Sequence, residues 1–282
     1  MSKTLSFAIV FAVLTLVFSK FISDPPIQTT PFPIPETVLI SHGGGGIQAG
    51  PRTNSLQALE ASVDRGFKYI EIDLVRLDDG ELVLLYGWNK VYERYFLAGT
   101  GLFAGLSSEL PKKVFNTSDF KALKMRRGLT QMTFDELLDW MNDHPNVSII
   151  TDFKQVDYLD SLESLSQRAG VRRDRFIPQI YDLDDYDRMQ AAGFKDIIFS
   201  VYKQKNVPMD VLLANSKNYE LFAVTVPKAR VLETDANLIK NSPFRVFTHT
   251  VNDLDLSMRL VQAGVTGVYT DYLYPKPIQK RP

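Results

Sequence analysis

The chain has 282 residues, 45% hydrophobic and 23% charged, enough for one large or two small domains with a well-buried core. A formal net charge of −1 supplies no global field that would draw it to nucleic acid or an anionic membrane. It contains no cysteine, which excludes disulfides, thiol catalysis and cysteine-held zinc or iron–sulfur centres.

In chain order, Lys3 precedes an uncharged apolar run, LSFAIVFAVLTLVF, at residues 5–18. A basic start followed by a run of this length matches an export signal. Extended through Lys20 to Ile22 it makes a short membrane anchor, although the run is shorter than the ~20 apolar residues of a full span. The best cleavage position is Val17-Phe18-Ser19. Cleaved signal and retained anchor both predict an exported protein, whether secreted, periplasmic or held on an extracellular face. The next stretch, SDPPIQTTPFPIPE at residues 23–36, holds five prolines and predicts an extended linker. The folded part is expected over residues 37–275 as a single domain, with a tail over residues 276–282.

Within that part, strand-like and helix-like runs alternate. VLIS (38–41) is followed by a glycine-rich loop and a helix near residues 55–65. YIEID (69–73) and LVLLY (82–86) come next. A long loop with Gly99, Gly101 and Gly105 then carries two short helical segments. A helix over residues 133–143 opens on Thr133 with Glu136 three residues on, the pattern of a capping box. VSIITD (147–152) leads to a helix around residues 158–169. FIPQIY (176–181), IIFSVY (197–202), LFAVTV (221–226) and RVFTHT (245–250) complete eight strand candidates. Strands alternating with helices predict a parallel sheet. Eight of them over ~240 residues predict an α/β fold of the (β/α)8 TIM barrel type. A doubly wound open sheet is the alternative, disfavoured because no Gly-x-Gly-x-x-Gly follows the first strand.

Barrel active sites lie at the C-terminal strand ends. Those ends carry His42, Glu71 with Asp73, Tyr86, Asp152 with Lys154, and His249. Glu71 and Asp73 are two apart on a strand and share a face. Two carboxylates there repel unless a cation or proton separates them. With Asp152 they offer three hard oxygen ligands, suited to Mg²⁺ or Ca²⁺ rather than zinc. Lys154 shares Asp152's face, where it either neutralises phosphate oxygens or pairs with Asp152. The third histidine, His144 in NDHPN, reads as a surface loop residue.

The run HGGGG, NSLQAL and GFKYIEIDLVRLDDGELVLL, continued by MTFDELL, TDFK, FTHTVND and GVYTDY, resembles the glycerophosphodiester phosphodiesterase family, within the phospholipase C-like phosphodiesterase superfamily of barrels. The resemblance spans nearly the whole domain. It implies that His42 is the first catalytic histidine. It also implies that Glu71, Asp73 and Asp152 hold a divalent metal and that Lys154 binds phosphate. The usual third ligand of the family is Glu, and Asp152 stands in its place.

Three positions depart from the family pattern. Gly43 stands where Arg usually follows the first His. Thr53 replaces the Glu before the Asn54-Ser55 pair. Tyr86-Gly87 stands where the second catalytic His and its Asp belong. The implied reaction uses two histidines, one taking a proton from the attacking hydroxyl and one giving a proton to the leaving alkoxide. Tyr86 has an ordinary pKa of about 10, which a nearby cation would lower, so it either donates a proton or serves as an aromatic wall of the pocket. His249 ends the last clear strand, where the family often has Trp. The first and last strands of a closed barrel are neighbours, so His249 is expected near His42, either as the replacement or as a pocket-lining residue that bonds substrate or backbone. Two readings follow. One is an exported metal-dependent phosphodiesterase for glycerophosphodiesters or a phospholipid headgroup. The other is a pseudoenzyme that binds metal and phosphodiester without turnover.

Overall fold

The structure is a computed structural model and describes residues 30–99 and 109–275. The expected export segment, the first part of the linker, Gly101, Gly105 and the tail lie outside the described residues.

The strands are β1 (Thr30–Pro31), β2 (Val38–Ser41), β3 (Tyr69–Arg76), β4 (Leu82–Leu84), β5 (Ser148–Phe153), β6 (Phe176–Ile180), β7 (Ile198–Ser200), β8 (Ala223–Pro227), β9 (Arg245–His249), β10 (Gly267–Thr270) and β11 (Leu273–Tyr274). Eight of them, β2, β3 and β5 to β10, pair side by side and all parallel. The β10–β2 and β2–β3 pairings close the ring. The closed parallel ring is a TIM barrel, not the open doubly wound sheet.

Helices cover the outside. They include α1 (Leu56–Asp64), α2 (Lys90–Tyr95), α3 (Thr117–Ala122), α4 (Phe134–Asp143), α5 (Tyr158–Ala169), α6 (Tyr186–Ala191), α7 (Met209–Ser216), α8 (Lys228–Glu233), α9 (Ala236–Lys240) and α10 (Leu254–Gln262). Local chemistry sets their starts. Ser55 caps α1 by accepting from the Ala58 amide at 3.3 Å. At α4 the expected capping box is present: Glu136 accepts from the Thr133 amide at 2.8 Å, and Thr133 accepts from the Glu136 amide at 3.4 Å.

Two expectations about the strands need correction. LVLLY is not a barrel strand. As β4 it runs antiparallel to β3, with Leu74 opposite Leu84 and Arg76 opposite Leu82. The Asp78-Asp79-Gly80 turn is the reason: so short a connection makes a hairpin, whereas a parallel neighbour needs a crossover of a dozen or more residues. The eighth barrel strand is instead β10, GVYT, a short run with few residues to signal it. β10 therefore sits between β9 and β2, and His249 is not on a strand adjacent to that of His42.

The proline-rich stretch joins the barrel at its end. Thr30 and Pro31 pair with Leu273 and Tyr274, and Phe32 is buried in the core.

Side-chain alternation sorts the barrel into a filled interior and a functional rim. Ile40, Ile150, Ile177, Ile198, Ala223, Phe247 and Tyr269 pack together as one buried cluster in the barrel. Two residues further along these strands come His42, Asp152, Gln179, Ser200, Thr225, His249 and Asp271. The residues that close the barrel thus aim polar groups at its C-terminal end.

Candidate active site

The acid cluster follows from strand register. Asp73 on β3 lies opposite Asp152 on β5, and Glu71 is two residues back on the same face. Oxygens of the three carboxylates all lie within 4.8 Å of one another. Glu71 and Asp73 are buried. The side chain of Asp152 is 13% exposed. Burial first, and then the charge of Asp73, pushes Glu71 up to about 8. Asp73 is also raised, chiefly by burial. The cluster is therefore short of positive charge.

Lys154 supplies part of that charge. It bonds Asp152 Oδ2 and lies 3.8 Å from Asp73 Oδ1. These charges hold it above its ordinary value, against the opposing effect of burial. Tyr181 donates its hydroxyl to Asp152 Oδ1. Two further contacts orient the acids. The Gly43 amide donates to Glu71 Oε2 at 2.6 Å. Asn54 Nδ2 donates to Asp73 Oδ2 at 2.9 Å, while Asn54 Oδ1 accepts from the Asp73 amide at 2.9 Å. Three convergent carboxylates, two of them buried and raised, with one lysine against them, fit a hard divalent cation. Glu71, Asp73 and Asp152 are the residues that would hold it.

His42 follows β2 directly, in a short turn over residues 42–44. It donates through Nδ1 to Asp271 Oδ1 at 2.9 Å. Asp271 is fixed in turn by Asn252, whose Nδ2 donates to Asp271 Oδ2 at 2.7 Å. Burial pulls the His42 imidazole down, but the Asp271 bond and then the charge of Glu71 outweigh it, so the ring is held above its ordinary value. His249 shows the opposite bias. Burial, reinforced by the charge of His42, lowers it to about 4. Its ring centre lies 6.3 Å from that of Tyr202 and 6.2 Å from that of Tyr269. Thr250 Oγ1, next to it in the chain, stands 3.4 Å from His42 Nδ1.

One cavity of about 370 Å³ brings these groups together. His42, Glu71, Tyr86, Asp152, Lys154 and His249 all line it, and buried Asp73 stands directly behind. Tyr86 arrives there although β4 is outside the barrel. The Leu85 amide bonds the Asp73 carbonyl at 2.9 Å, which sets Tyr86 next to the acids. The Tyr86 ring has Arg52 Cζ 5.1 Å and Lys154 Nζ 5.4 Å from its centre. His144 plays no part in the cavity. It ends α4, stacked 4.3 Å from Trp140 and 3.4 Å from Glu60 Oε1.

A family model described as the glycerophosphoryl diester phosphodiesterase family matches residues 43–274. The chain belongs to this family. Solved structures of similar fold bear the same family name. A glycerophosphodiester phosphodiesterase from Parabacteroides distasonis is 15% identical with a TM-score of 0.64, over 84% of this chain and 93% of that one. One from Thermotoga maritima is 16% identical with a TM-score of 0.59, over 84% and 95%. A phosphodiesterase from Oleispira antarctica, solved with its product sn-glycerol-3-phosphate, is 17% identical with a TM-score of 0.59, over 83% and 92%. No curated protein matches the chain.

Against this family background, sequence reasoning missed Asp271, Arg52, Tyr181 and Lys203. Asp271 continues the inward phase of β10, so it was hidden as long as GVYT was not taken for a strand. Tyr181 and Lys203 depend on where β6 and β7 end. Arg52 sits on a loop whose path no periodicity reports.

Proposed function

We propose that this protein is a phosphodiesterase that hydrolyses a glycerophosphodiester or related phospholipid headgroup diester, with His42 and His249 as its proton-transfer pair. The observation that carries the reading is one cavity lined by two imidazoles, a lysine and the converging carboxylates of the acid cluster. His249, lowered to about 4, is neutral near pH 7 and so has an unprotonated nitrogen to accept a proton from the attacking hydroxyl. That hydroxyl is either water or a neighbouring hydroxyl of the substrate. His42, raised and bonded to Asp271, is suited to hold a proton and deliver it to the leaving alkoxide oxygen. Asp271 orients the ring and stabilises its charged form.

A divalent cation, when bound, supplies charge stabilisation at the phosphate oxygens. Glu71, Asp73 and Asp152 are its proposed ligands, with Mg²⁺ or Ca²⁺ the fitting ions because every ligand atom is a hard oxygen. Lys154 adds a fixed positive charge beside the same oxygens. Tyr86 and Gly87 leave no second histidine on β4's end, which is why the partner proton-transfer group is assigned to His249.

The test is hydrolysis of a phosphodiester panel by purified protein with Mg²⁺ or Ca²⁺, alongside His42→Ala, His249→Ala and Tyr86→His. Loss of turnover in both histidine variants is expected. Unchanged turnover in His249→Ala would sink the replacement idea. An inert wild type that binds the metal and gains activity on Tyr86→His would establish the pseudoenzyme instead.

The basic and apolar N-terminus further leads us to propose export, with the barrel free outside the membrane or tethered to it. No helix among the described residues is long and apolar enough to cross a membrane.

A further inference from the structure

We propose that Arg52 grips a non-bridging oxygen of the substrate phosphate, with Tyr86 as the platform that positions its guanidinium. The proposal rests on the phosphodiesterase reading above and names a residue for which that reading had no use.

Arg52 packs against Gly43. Gly43, directly after His42, has φ +57°, and a Cβ built there would lie 2.7 Å from Arg52 Cα, 2.8 Å from its Cγ and 2.9 Å from its Cβ. Arg52 therefore fills the volume into which a side chain at position 43 would project. The stem of the Arg52 side chain enters that space from the loop before α1, and its guanidinium reaches the Tyr86 ring.

That loop is held at several points. The Asn54 amide donates to the Gly43 carbonyl at 3.1 Å. The Tyr95 hydroxyl donates to the Pro51 carbonyl at 2.7 Å. Asn54 is bonded twice to Asp73, at 2.9 Å each time. Between these anchors Arg52 takes φ +57°, a conformation that residues with a Cβ seldom adopt. The same contacts that orient a proposed metal ligand thus also aim Arg52 into the cavity, which it lines.

Charge points the same way. Lys154 is already bonded to Asp152 and close to Asp73. Among the described residues Arg52 has no hydrogen bond or ion pair, and its guanidinium stands 5.1 Å from the centre of the Tyr86 ring. A half-buried guanidinium with five donors and no acceptor is matched by an oxyanion, which it can hold with two parallel bonds. Stacking on an aromatic face limits its rotation without consuming its in-plane donors. This gives Tyr86 a role that needs the ring and not the hydroxyl proton.

The experiment measures binding and turnover together in the full-length protein. Binding of inorganic phosphate and of sn-glycerol-3-phosphate is followed by calorimetry, and KM and kcat are measured on a glycerophosphodiester with Mg²⁺ or Ca²⁺. The variants are Arg52→Gly, Arg52→Lys, Tyr86→Phe and Tyr86→Ala. Glycine accepts φ +57° without strain, so a defect in Arg52→Gly reports the lost side chain. It is expected to bind both anions about 10–100-fold more weakly, the order of one charge-assisted hydrogen-bond pair. Lysine should restore only part of this, because its ammonium lacks the planar fork. Added methylguanidine should partly rescue Arg52→Gly, an effect that a purely structural role would not give. Tyr86→Phe should bind anions as wild type does, and Tyr86→Ala should resemble Arg52→Gly.

Anion binding unchanged in Arg52→Gly, or absent from the wild type, would overturn the proposal. The two readings fail separately. A wild type that turns over with no effect of Arg52→Gly defeats only the arginine role. A wild type that is inert but binds phosphate through Arg52 defeats only the activity.

Discussion

At the scale of the residue, burial and one hydrogen bond set two histidines apart. Asp271 is the largest influence raising His42, and burial is the largest influence lowering His249. Turnover should therefore persist from about pH 5 through neutrality. It should fall toward pH 4 as His249 gains its proton, and fall again on the alkaline side, beyond the ordinary histidine range, as His42 loses its own. Asp271→Asn should move the alkaline limb to lower pH in a kcat–pH profile, because the main support for the His42 proton is gone. An unmoved limb would remove Asp271 as the positioning residue. His249→Ala should lower kcat by ~10²–10⁴, the usual worth of a proton-transfer partner, with KM little changed.

The two imidazoles pull stability in opposite directions with pH. His249 has a folded value below its unfolded one. Its contribution is present above the unfolded value near 6.5 and is lost as pH falls toward 4. His42 has a folded value above its unfolded one. Its contribution is present below the unfolded value and is lost as pH rises through the folded one.

At the scale of the element, the β3–β4 hairpin accounts for most of the site's oddity. β3 carries two acids on its inner face, and β4 turns back along it so that Leu85 bonds the Asp73 carbonyl and Tyr86 joins the cavity. The alternation that placed Glu71 and Asp73 together was legible in YIEID. The hairpin was legible too, in the short Asp78-Asp79-Gly80 turn, but counting eight strands hid it. The count of eight came out right because one strand too many in the hairpin offset GVYT, which was passed over. At the start of α4, the reciprocal Thr133 and Glu136 bonds satisfy two amides that a helix end leaves open. Thr133→Ala should cost about 1 kcal/mol of stability in chemical denaturation, with kcat unaffected because α4 does not line the cavity.

At the scale of the whole molecule, the barrel concentrates three carboxylates at one point, where they could hold a divalent cation. Saturating Mg²⁺ or Ca²⁺ at about a hundredfold over its Kd should stabilise the fold by about 2.7 kcal/mol, a rise of several degrees in Tm. EDTA should reverse the rise, and Asp73→Asn should abolish it. A Tm indifferent to divalent ions would remove the acid cluster as a cation site. The rest of the cavity wall is basic: its lining acids, Glu71 and Asp152, belong to the cluster, whereas Arg52, Lys154 and Lys203 also face it. Lys203 Nζ lies 4.2 Å from the centre of the Tyr181 ring, a place that a quaternary ammonium would otherwise favour. Glycerophosphoglycerol should therefore be hydrolysed in preference to glycerophosphocholine, as the ratio of their kcat/KM values would show.

What the sequence determined by itself was the barrel, the shared face of Glu71 and Asp73, and the placing of His42, Asp152, Lys154 and His249 at strand ends. These follow from alternation along a strand and from the order of strands and helices, which are local properties. Only the tertiary structure decided that β10 separates β9 from β2, that Asp271 bonds His42, and that Arg52 fills the space beside Gly43. Each of these joins residues far apart in the chain through barrel closure and loop packing, and no local pattern in the sequence encodes such contacts. The Tyr86 of LVLLYGW shows both halves. Its departure from the family pattern was plain in the sequence, but its two cationic neighbours became visible only once the chain had closed.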